Sequence, residues 1–165
     1  MCPRRRTALH KRAVLTARKT ARNKTTMPKS HSVVFIHLVW STWDRMPLIT
    51  SEIKSLVFSA LRKEAERLGC IVVAANGIAD HVHLLLQLPA TLCVADAAKH
   101  IKGASAFVVN QSGAASAHFK WQGSYSAFSV SRWDVRKVAD YIANQETHHS
   151  NNTAKPELEN DTASR

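Results

Sequence analysis

The chain has 165 residues, which is enough for one ordinary domain, and a formal net charge of +11. Ten of its 23 Lys and Arg residues lie in residues 1–30, which contain no acid. The other 13 are nearly balanced in charge by the 12 acids, all of which lie in residues 31–165. The composition therefore excludes a uniformly basic domain and predicts a basic, disordered tail over residues 1–30. A transit peptide or a nucleic-acid-binding arm would have the same composition, and Met27 is an alternative start that would make the tail a mis-assigned extension. Since no run approaches about 18 apolar residues, we expect a soluble, cytoplasmic protein without a membrane span.

The apolar pattern after the tail predicts alternating strands and helices. Strands are expected at 32–43, 70–75, 81–88 and 126–130, and helices at 50–69, at 91–110 and from 131 onwards. The order βαββαβ plus a terminal helix predicts an α+β, ferredoxin-like (RRM-like) fold, in which two helices cover a four-stranded antiparallel sheet. The predicted domain spans residues 31–149, and the polar residues 150–165 are expected to form a disordered tail.

The third predicted strand begins with two histidines, His81 and His83. Side chains two positions apart point to the same face of a strand, while Val82 and Leu84 point to the other. Two imidazoles on one face suit a divalent cation with open positions for a substrate, although two structural histidines would give the same triplet. A histidine-triad hydrolase would need a third histidine at position 85, and Leu85 disfavours that class.

The terminal helix carries Tyr141 and Gln145, which are four positions apart and so lie on one helical face, close to the line of His148. They lie at the edge of the apolar stripe, which favours an exposed phenol facing a neighbouring surface. A half-buried tyrosine that anchors the helix is the alternative. A phenol with a pKa of about 10 is almost entirely protonated near neutrality, so its use as a nucleophile requires metal charge or basic groups nearby.

Four segments resemble, in order and spacing, the single-tyrosine HUH transposases of the insertion-sequence 200/605 type. They are Val39-Trp40-Ser41-Thr42 with Arg45 and Pro47; Asp80-His81-Val82-His83-Leu84-Leu85; Trp121-Gln122 with Tyr125 and Ala127-Phe128-Ser129-Val130-Ser131; and Tyr141-Ile142-Ala143-Asn144-Gln145 with His148-His149. The chain departs from that family at Ser124 and Ser126, where glycines are common.

The resemblance implies a DNA transposase that mobilises an insertion sequence. It implies that His81, His83 and Gln145 bind Mg²⁺ or Mn²⁺ and that Tyr141 attacks single-stranded DNA to form a 5′-phosphotyrosine intermediate. It also implies recognition of DNA hairpins at the element ends, and a homodimer in which each tyrosine can serve the partner's site. Such a protein would act at the nucleoid of a bacterial cell.

Basic residues outside the tail are candidate contacts to DNA phosphates: Lys99, Lys102, Lys120, Arg132, Arg136 and Lys137. Two other functions remain open at this stage. The same fold can bind single-stranded nucleic acid without catalysis, which would make binding indifferent to Tyr141 and to a chelator. A domesticated relative could also cleave hairpins without mobilising itself.

Overall fold

The structure, a computed structural model, describes residues 31–159 and contains one four-stranded antiparallel sheet. The predictions of a basic tail at 1–30 and of a start at Met27 therefore lie outside the described residues. The strands are β1 (Val34–Ser41), β2 (Ile71–Gly77), β3 (His81–Leu88) and β4 (Ser126–Val130), in the spatial order β2-β3-β1-β4. This order and the helices between the strands confirm the ferredoxin-like prediction.

Two long helices, α1 (Ser51–Arg67) and α2 (Val94–Ser112), cover one face of the sheet. Alternate residues of the central strands point to this face, and they are fully buried against apolar positions of both helices because each helix presents such a position every three or four residues. The main members of this core are Leu38, Trp40, Leu84, Leu86, Ile53, Val57, Leu61, Ala97 and Ile101.

Three shorter helices follow β4: α3 (Val135–Ala143), α4 (Gln145–Ser150) and α5 (Pro156–Glu159). Helix α3 packs on the opposite face of the sheet, where Val138, Tyr141 and Ile142 surround Leu85 of β3. Residues 150–165, for which the sequence predicts a disordered tail, include α5 in their described part. No helix within residues 31–159 is both long and apolar enough to cross a bilayer.

The predicted terminal helix is broken between Tyr141 and Gln145. Asn144 leaves the helical region, with φ −101° and ψ 21°, and its backbone N–H bonds to the Tyr141 carbonyl three residues back. Its side-chain amide bonds to the Asp140 carbonyl at 2.8 Å, which is the local bonding by which asparagine competes with a regular helix. Tyr141 and Gln145 are therefore on two successive helices instead of one continuous face.

Smaller differences concern element ends. Strand β1 is shorter than predicted, β2 continues to Gly77, and α2 begins three residues later than Thr91. The late start has a local cause, because the backbone N–H of Leu92 bonds to the Pro89 carbonyl in a turn, and Cys93 then caps α2 by accepting the Asp96 N–H at 3.4 Å.

The turn from β2 into β3 is tightly packed around Gly77. A Cβ at this position would overlap the His81 carbonyl oxygen and lie 2.8 Å from the Cα of Val82. Only glycine therefore allows β2 to approach the start of β3 this closely, so the position of His81 depends on Gly77.

We expect Gly77→Ala to lower the free energy of unfolding by about 1–3 kcal/mol, since backbone atoms must move to accommodate the methyl group. Urea denaturation followed by circular dichroism measures the change. Gly103→Ala is the matched control, because no atom lies within 4 Å of a Cβ there and the helix should become more stable by up to about 1 kcal/mol. Equal stability of Gly77→Ala and the wild type would contradict this account of the turn.

Candidate metal and tyrosine site

The two histidines of β3 lie on the face of the sheet opposite α1 and α2, and both are fully buried. Their Nε2 atoms converge on one carboxylate oxygen, Oε2 of Glu159, at 3.2 Å from His81 and 3.3 Å from His83. The alternation along β3 produces this pair, as the sequence predicts, because Val82 and Leu84 fill the core on the other side.

The other ring nitrogen of each histidine has a partner that orients the ring. Nδ1 of His81 lies 2.7 Å from an oxygen of Asp80, and Nδ1 of His83 lies 3.0 Å from Nε2 of His37 on β1. Asp80 is itself held, because its carbonyl accepts the Thr42 N–H at 2.8 Å and its carboxylate pairs with Arg45 at 3.1 Å. Outer partners of this kind fix the tautomer and orientation of metal-binding histidines.

Tyr141 is 5% exposed, so the predicted exposed phenol does not occur. The chain after α4 returns over the ring: the Lys155 backbone N–H donates to the Tyr141 hydroxyl at 3.0 Å, and the hydroxyl donates to Glu159. Gln145 is fully buried and donates from Nε2 to Oε1 of Glu159 at 3.2 Å. The structure thus brings Tyr141, Gln145 and the histidine pair together, despite the break in the helix.

Sequence reasoning did not identify Glu159, which lies at the centre of the site. It also left open whether His148 and His149 touch the site, and both do. His149 Nε2 is 3.3 Å from Oε2 of Glu159, and the His148 ring stacks on Tyr141 with centroids 4.7 Å apart. No local sequence pattern identifies Glu159 as a site residue, because it is one acid in a polar segment. It reaches the site only through the path that residues 151–159 take.

The charges of the site depend on these contacts. Burial by itself would lower the pKa of His81, but the hydrogen bond with Asp80 and the Glu159 carboxylate outweigh it and raise the pKa to about 9. Burial and the neighbouring His83 lower the pKa of His37 to about 3, so His37 is neutral.

Glu159 and Tyr141 shift in opposite directions. Burial would raise the pKa of Glu159, but the surrounding histidines hold it far below its usual range. Burial and the bond to this carboxylate raise the pKa of Tyr141, so the phenol is protonated.

The residues fit a divalent metal ion. Among the described residues, Oε1 of Gln145 is buried without a hydrogen-bond partner, and the Nε2 atoms of His81, His83 and His149 all share the one Glu159 carboxylate, at 3.2–3.3 Å. A buried polar atom without a partner of its own is costly, so this set of atoms favours a further ligand at the point where they converge. One ligand atom each from His81, His83 and Glu159 lies within 4.8 Å of the others, and imidazole with oxygen donors is a set that Mn²⁺ and related ions accept.

The six predicted DNA-contacting residues do not form one surface. Lys99, Lys102 and Lys120 line one cavity beside α2, and Lys137 lines another of about 300 Å³ that includes Tyr141. Arg132 and Arg136 are exposed at the beginning of α3.

Comparisons with known proteins relate the chain to transposases. The family described as "Transposase IS200 like" matches residues 30–145. A transposase for insertion sequence element IS200 from Salmonella typhimurium is 28% identical over 114 residues, covering 66% of this chain and 74% of that protein. The ISDra2 transposase TnpA of Deinococcus radiodurans is 29% identical over 117 residues, covering 66% of this chain and 81% of that protein.

Two solved structures share the fold. A crystal structure of a candidate transposase from Deinococcus radiodurans aligns with a TM-score of 0.55 and 28% identity, covering 72% of this chain and 98% of that one. A REP-associated tyrosine transposase bound to a REP hairpin aligns with a TM-score of 0.55 and 13% identity, covering 78% of this chain and 76% of that one. At 13% identity, the second likeness concerns the fold alone.

We expect Asp80→Asn to weaken Mn²⁺ binding by about 10- to 100-fold, because His81 loses the carboxylate that orients its ring. Calorimetric titration of the DNA-free protein with Mn²⁺ measures the affinity. Asp140→Asn is the matched control, since Asp140 is an exposed residue of α3. Equal affinities of Asp80→Asn and the wild type would show that Asp80 does not support a metal ligand.

Proposed function

The chain belongs to the IS200-like transposase family, and from this premise we propose that it cleaves and rejoins single-stranded DNA with Tyr141 as the nucleophile. The observation that supports this chemistry most is the convergence of the Tyr141 hydroxyl, the Gln145 amide and two histidine Nε2 atoms on one carboxylate. Cleavage and rejoining of this kind would mobilise an insertion sequence.

His81, His83 and Gln145 are the proposed ligands of Mg²⁺ or Mn²⁺, with Glu159 and His149 near enough to contribute. When bound, the ion would polarise a phosphate oxygen and favour the phenolate form of the nearby tyrosine. Gln145 and deprotonated imidazoles suit this role because they leave the charge of the ion uncancelled, and binding of the ion would release the proton of His81. Asp80 orients the His81 ring and His37 orients the His83 ring, each through the Nδ1 atom that would not bind the ion.

In the proposed reaction, the phenolic oxygen of Tyr141 attacks a DNA phosphorus atom and the 3′ oxygen leaves. One P–O bond forms and one breaks, and overall the phenolic proton is transferred to the leaving 3′ oxygen. The product is a 5′-phosphotyrosine that conserves the phosphodiester energy, so a 3′ hydroxyl of another strand end can reverse the step without ATP. Excision and insertion would then be the same reaction run twice.

Glu159 and a scissile phosphate would compete for the same position in the site. Both are anions, and the carboxylate already fills the point on which the histidines converge and accepts the hydrogen bond of Tyr141. Together with burial, this carboxylate raises the pKa of Tyr141 and so keeps the nucleophile protonated. We infer that Glu159 moves aside when DNA binds.

The proposed DNA partner is a single strand with hairpin ends. Support comes from the family and from the structural neighbour of the same fold, which is bound to a REP hairpin. A homodimer remains part of the proposal. Tyr141 lies beside His83 of its own chain, with ring centroids 6.3 Å apart, which supports a site completed within one chain.

A hairpin-binding protein without catalysis is the alternative function. It would leave unexplained why buried imidazole nitrogens face a buried tyrosine hydroxyl through a common carboxylate. Such a protein would bind hairpins equally well with or without the metal and with phenylalanine at position 141.

The test of the proposal is covalent capture of DNA. Purified protein is incubated with a labelled single-stranded hairpin from the flanks of its own gene, with Mn²⁺ or with EDTA, and run on a denaturing gel. We expect an adduct in the wild type with Mn²⁺ and none in Tyr141→Phe, in His83→Ala or in EDTA. Hairpin binding without an adduct in the wild type would favour the non-catalytic alternative.

A mixture of Tyr141→Phe and His83→Ala chains is the control for the assembly of the site. If each tyrosine serves its own chain, the mixture stays inactive. If the tyrosine serves a partner, mixed dimers restore up to about a quarter to a half of the adduct, since one of the two sites in a mixed dimer would be intact.

We expect Glu159→Ala to form the adduct several-fold faster than the wild type at low DNA concentration, because it removes the anion that competes with the phosphate. A time course of adduct formation, paired with an Mn²⁺ titration, measures both roles of this residue. Slower adduct formation with weaker Mn²⁺ binding would instead make Glu159 a metal ligand. Glu146→Ala is the matched control, since Glu146 is an exposed acid of α4 that pairs with Lys54 outside the site.

A further inference from the structure

A short row of polar residues crosses the sheet beside the metal site. The register of the sheet places Ser41 of β1 directly opposite His81 of β3. On the other side of β1, the pairing of Thr42 with Trp121 brings Gln122 opposite Ser41, and the Gln122 N–H bonds to the Ser41 carbonyl at 3.0 Å. Side chains directly opposite each other in a sheet share a face, with Cβ atoms about 4.5–5.5 Å apart. His81, Ser41 and Gln122 are therefore neighbours.

This row is on the catalytic face of the sheet. Trp40 and Trp121 point to the other face, into the core that α1 and α2 cover, and their rings meet edge to face with centroids 5.8 Å apart. The indole N–H of Trp121 also donates to a serine hydroxyl of α2 at 2.9 Å, which fixes its direction. Because side chains alternate along an extended segment, Ser41 and Gln122 point away from the core, as the two histidines of β3 do.

Two polar atoms of the row lack a partner. Ser41 is fully buried, and no group within residues 31–159 forms a hydrogen bond with its hydroxyl. The Gln122 side chain is half-buried, and its Oε1 is buried and equally without a partner in the described part of the chain. A buried polar atom without a partner is costly. Two such atoms side by side, next to a metal ligand, favour a polar group of the substrate as their partner.

The position of Tyr141 indicates which part of the substrate reaches this row. Along β3, Leu85, His83 and His81 follow one another on one face. Tyr141 packs on Leu85, and the centroid of its ring is 6.3 Å from that of His83. Ser41 is beside His81, at the other end of this series. The attacking and leaving oxygens are roughly in line in a displacement at phosphorus, so attack from the Tyr141 end directs the leaving 3′ oxygen towards Ser41.

We propose that Ser41 and Gln122 bind the 3′ hydroxyl end of the cleaved DNA strand. As the bond between phosphorus and the 3′ oxygen breaks, its electron pair goes to that oxygen, and the Ser41 hydroxyl donates a hydrogen bond to the developing charge. Once the oxygen has gained the proton that Tyr141 loses, it is itself a donor, and Oε1 of Gln122 accepts its hydrogen bond. The pair thus satisfies an oxygen that changes from an acceptor into a hydroxyl.

This contact would keep the free 3′ end in place for rejoining. In that step the 3′ hydroxyl attacks the phosphotyrosine, and a hydroxyl that is already oriented reacts faster than one that must diffuse back. Ser41 donates to the same oxygen in both directions. The inference rests on the proposed function, in which Tyr141 forms the phosphotyrosine, and it adds the residues that hold the leaving strand.

Sulfur in place of the leaving oxygen tests the role of Ser41. Adduct formation with Mn²⁺ is timed on the hairpin and on the same hairpin with a bridging 3′ sulfur at the scissile phosphate. We expect Ser41→Ala to be about 100-fold slower than the wild type on the oxygen substrate, and nearly as fast as the wild type on the sulfur substrate. A thiolate leaves readily without a hydrogen-bond donor, so this difference reports a contact with the leaving atom.

Two measurements and a control variant separate this role from a structural one. Removal of a buried hydroxyl without a partner should leave the urea midpoint of Ser41→Ala equal to that of the wild type or higher. Its Mn²⁺ affinity without DNA, measured by calorimetric titration, should be unchanged, because the Ser41 hydroxyl forms no hydrogen bond with His81. Ser55→Ala is the matched control, since Ser55 is an exposed serine of α1, on the opposite side of the sheet.

The chemistry of the strand end tests the pair. Fluorescence anisotropy with Mn²⁺ compares the cleaved strand ending in a 3′ hydroxyl with the same strand ending in a 3′ hydrogen, in a Tyr141→Phe background that cannot react. We expect this background to bind the hydroxyl end roughly tenfold more tightly. Addition of Gln122→Leu or of Ser41→Ala should make the two affinities nearly equal, because the hydroxyl then loses one of its two partners.

Equal slowing of Ser41→Ala on the oxygen and sulfur substrates would overturn the assignment, and so would an unchanged rate on both. A parallel loss of Mn²⁺ affinity would also overturn it, since Ser41 would then act through His81. Equal affinities of the Tyr141→Phe protein for the two strand ends would mean that only water occupies the row. All these outcomes are compatible with a covalent adduct in the wild type. Absence of that adduct would instead overturn the proposed function, and this inference with it.

Discussion

The site depends on the register of β3 between its two neighbours in the sheet. Because β3 is an inner strand, its side chains are buried on both faces, and alternation sends Val82 and Leu84 to the core while His81 and His83 face the other way. A shift of one residue would exchange the two sets. The core helices and the packing at Gly77 therefore determine which way the imidazoles point, before any ligand is present.

Much of this arrangement could be predicted from the sequence, because local periodicity determines it. The order of the elements and the shared face of the histidines follow from spacings of two and of three to four residues, and the structure agrees with both. The partners of the histidines could not be predicted in this way. His37 reaches His83 through strand pairing 46 positions away, and Glu159 enters through a chain reversal after α4. Such contacts depend on the tertiary fold and have no pattern in the neighbouring sequence.

Tyr141 and Gln145 meet, as their spacing predicts, but one continuous helix is not what brings them together. A regular helix would place Tyr141 and Gln145 on one face, but Asn144 ends α3 between them. The two side chains still meet, because both are buried against the same carboxylate and Ile142 anchors α3 on Leu85. Burial of the phenol followed from the path of residues 151–159, which the composition of that segment does not reveal.

In the proposed mechanism, burial and the contact with Glu159 keep Tyr141 protonated, and therefore unreactive, until DNA binds. The anionic Glu159 satisfies the histidines that a metal would otherwise bring together, and it also holds the tyrosine proton. A phosphate that takes its place can be attacked only by a tyrosine that has lost this hydrogen bond.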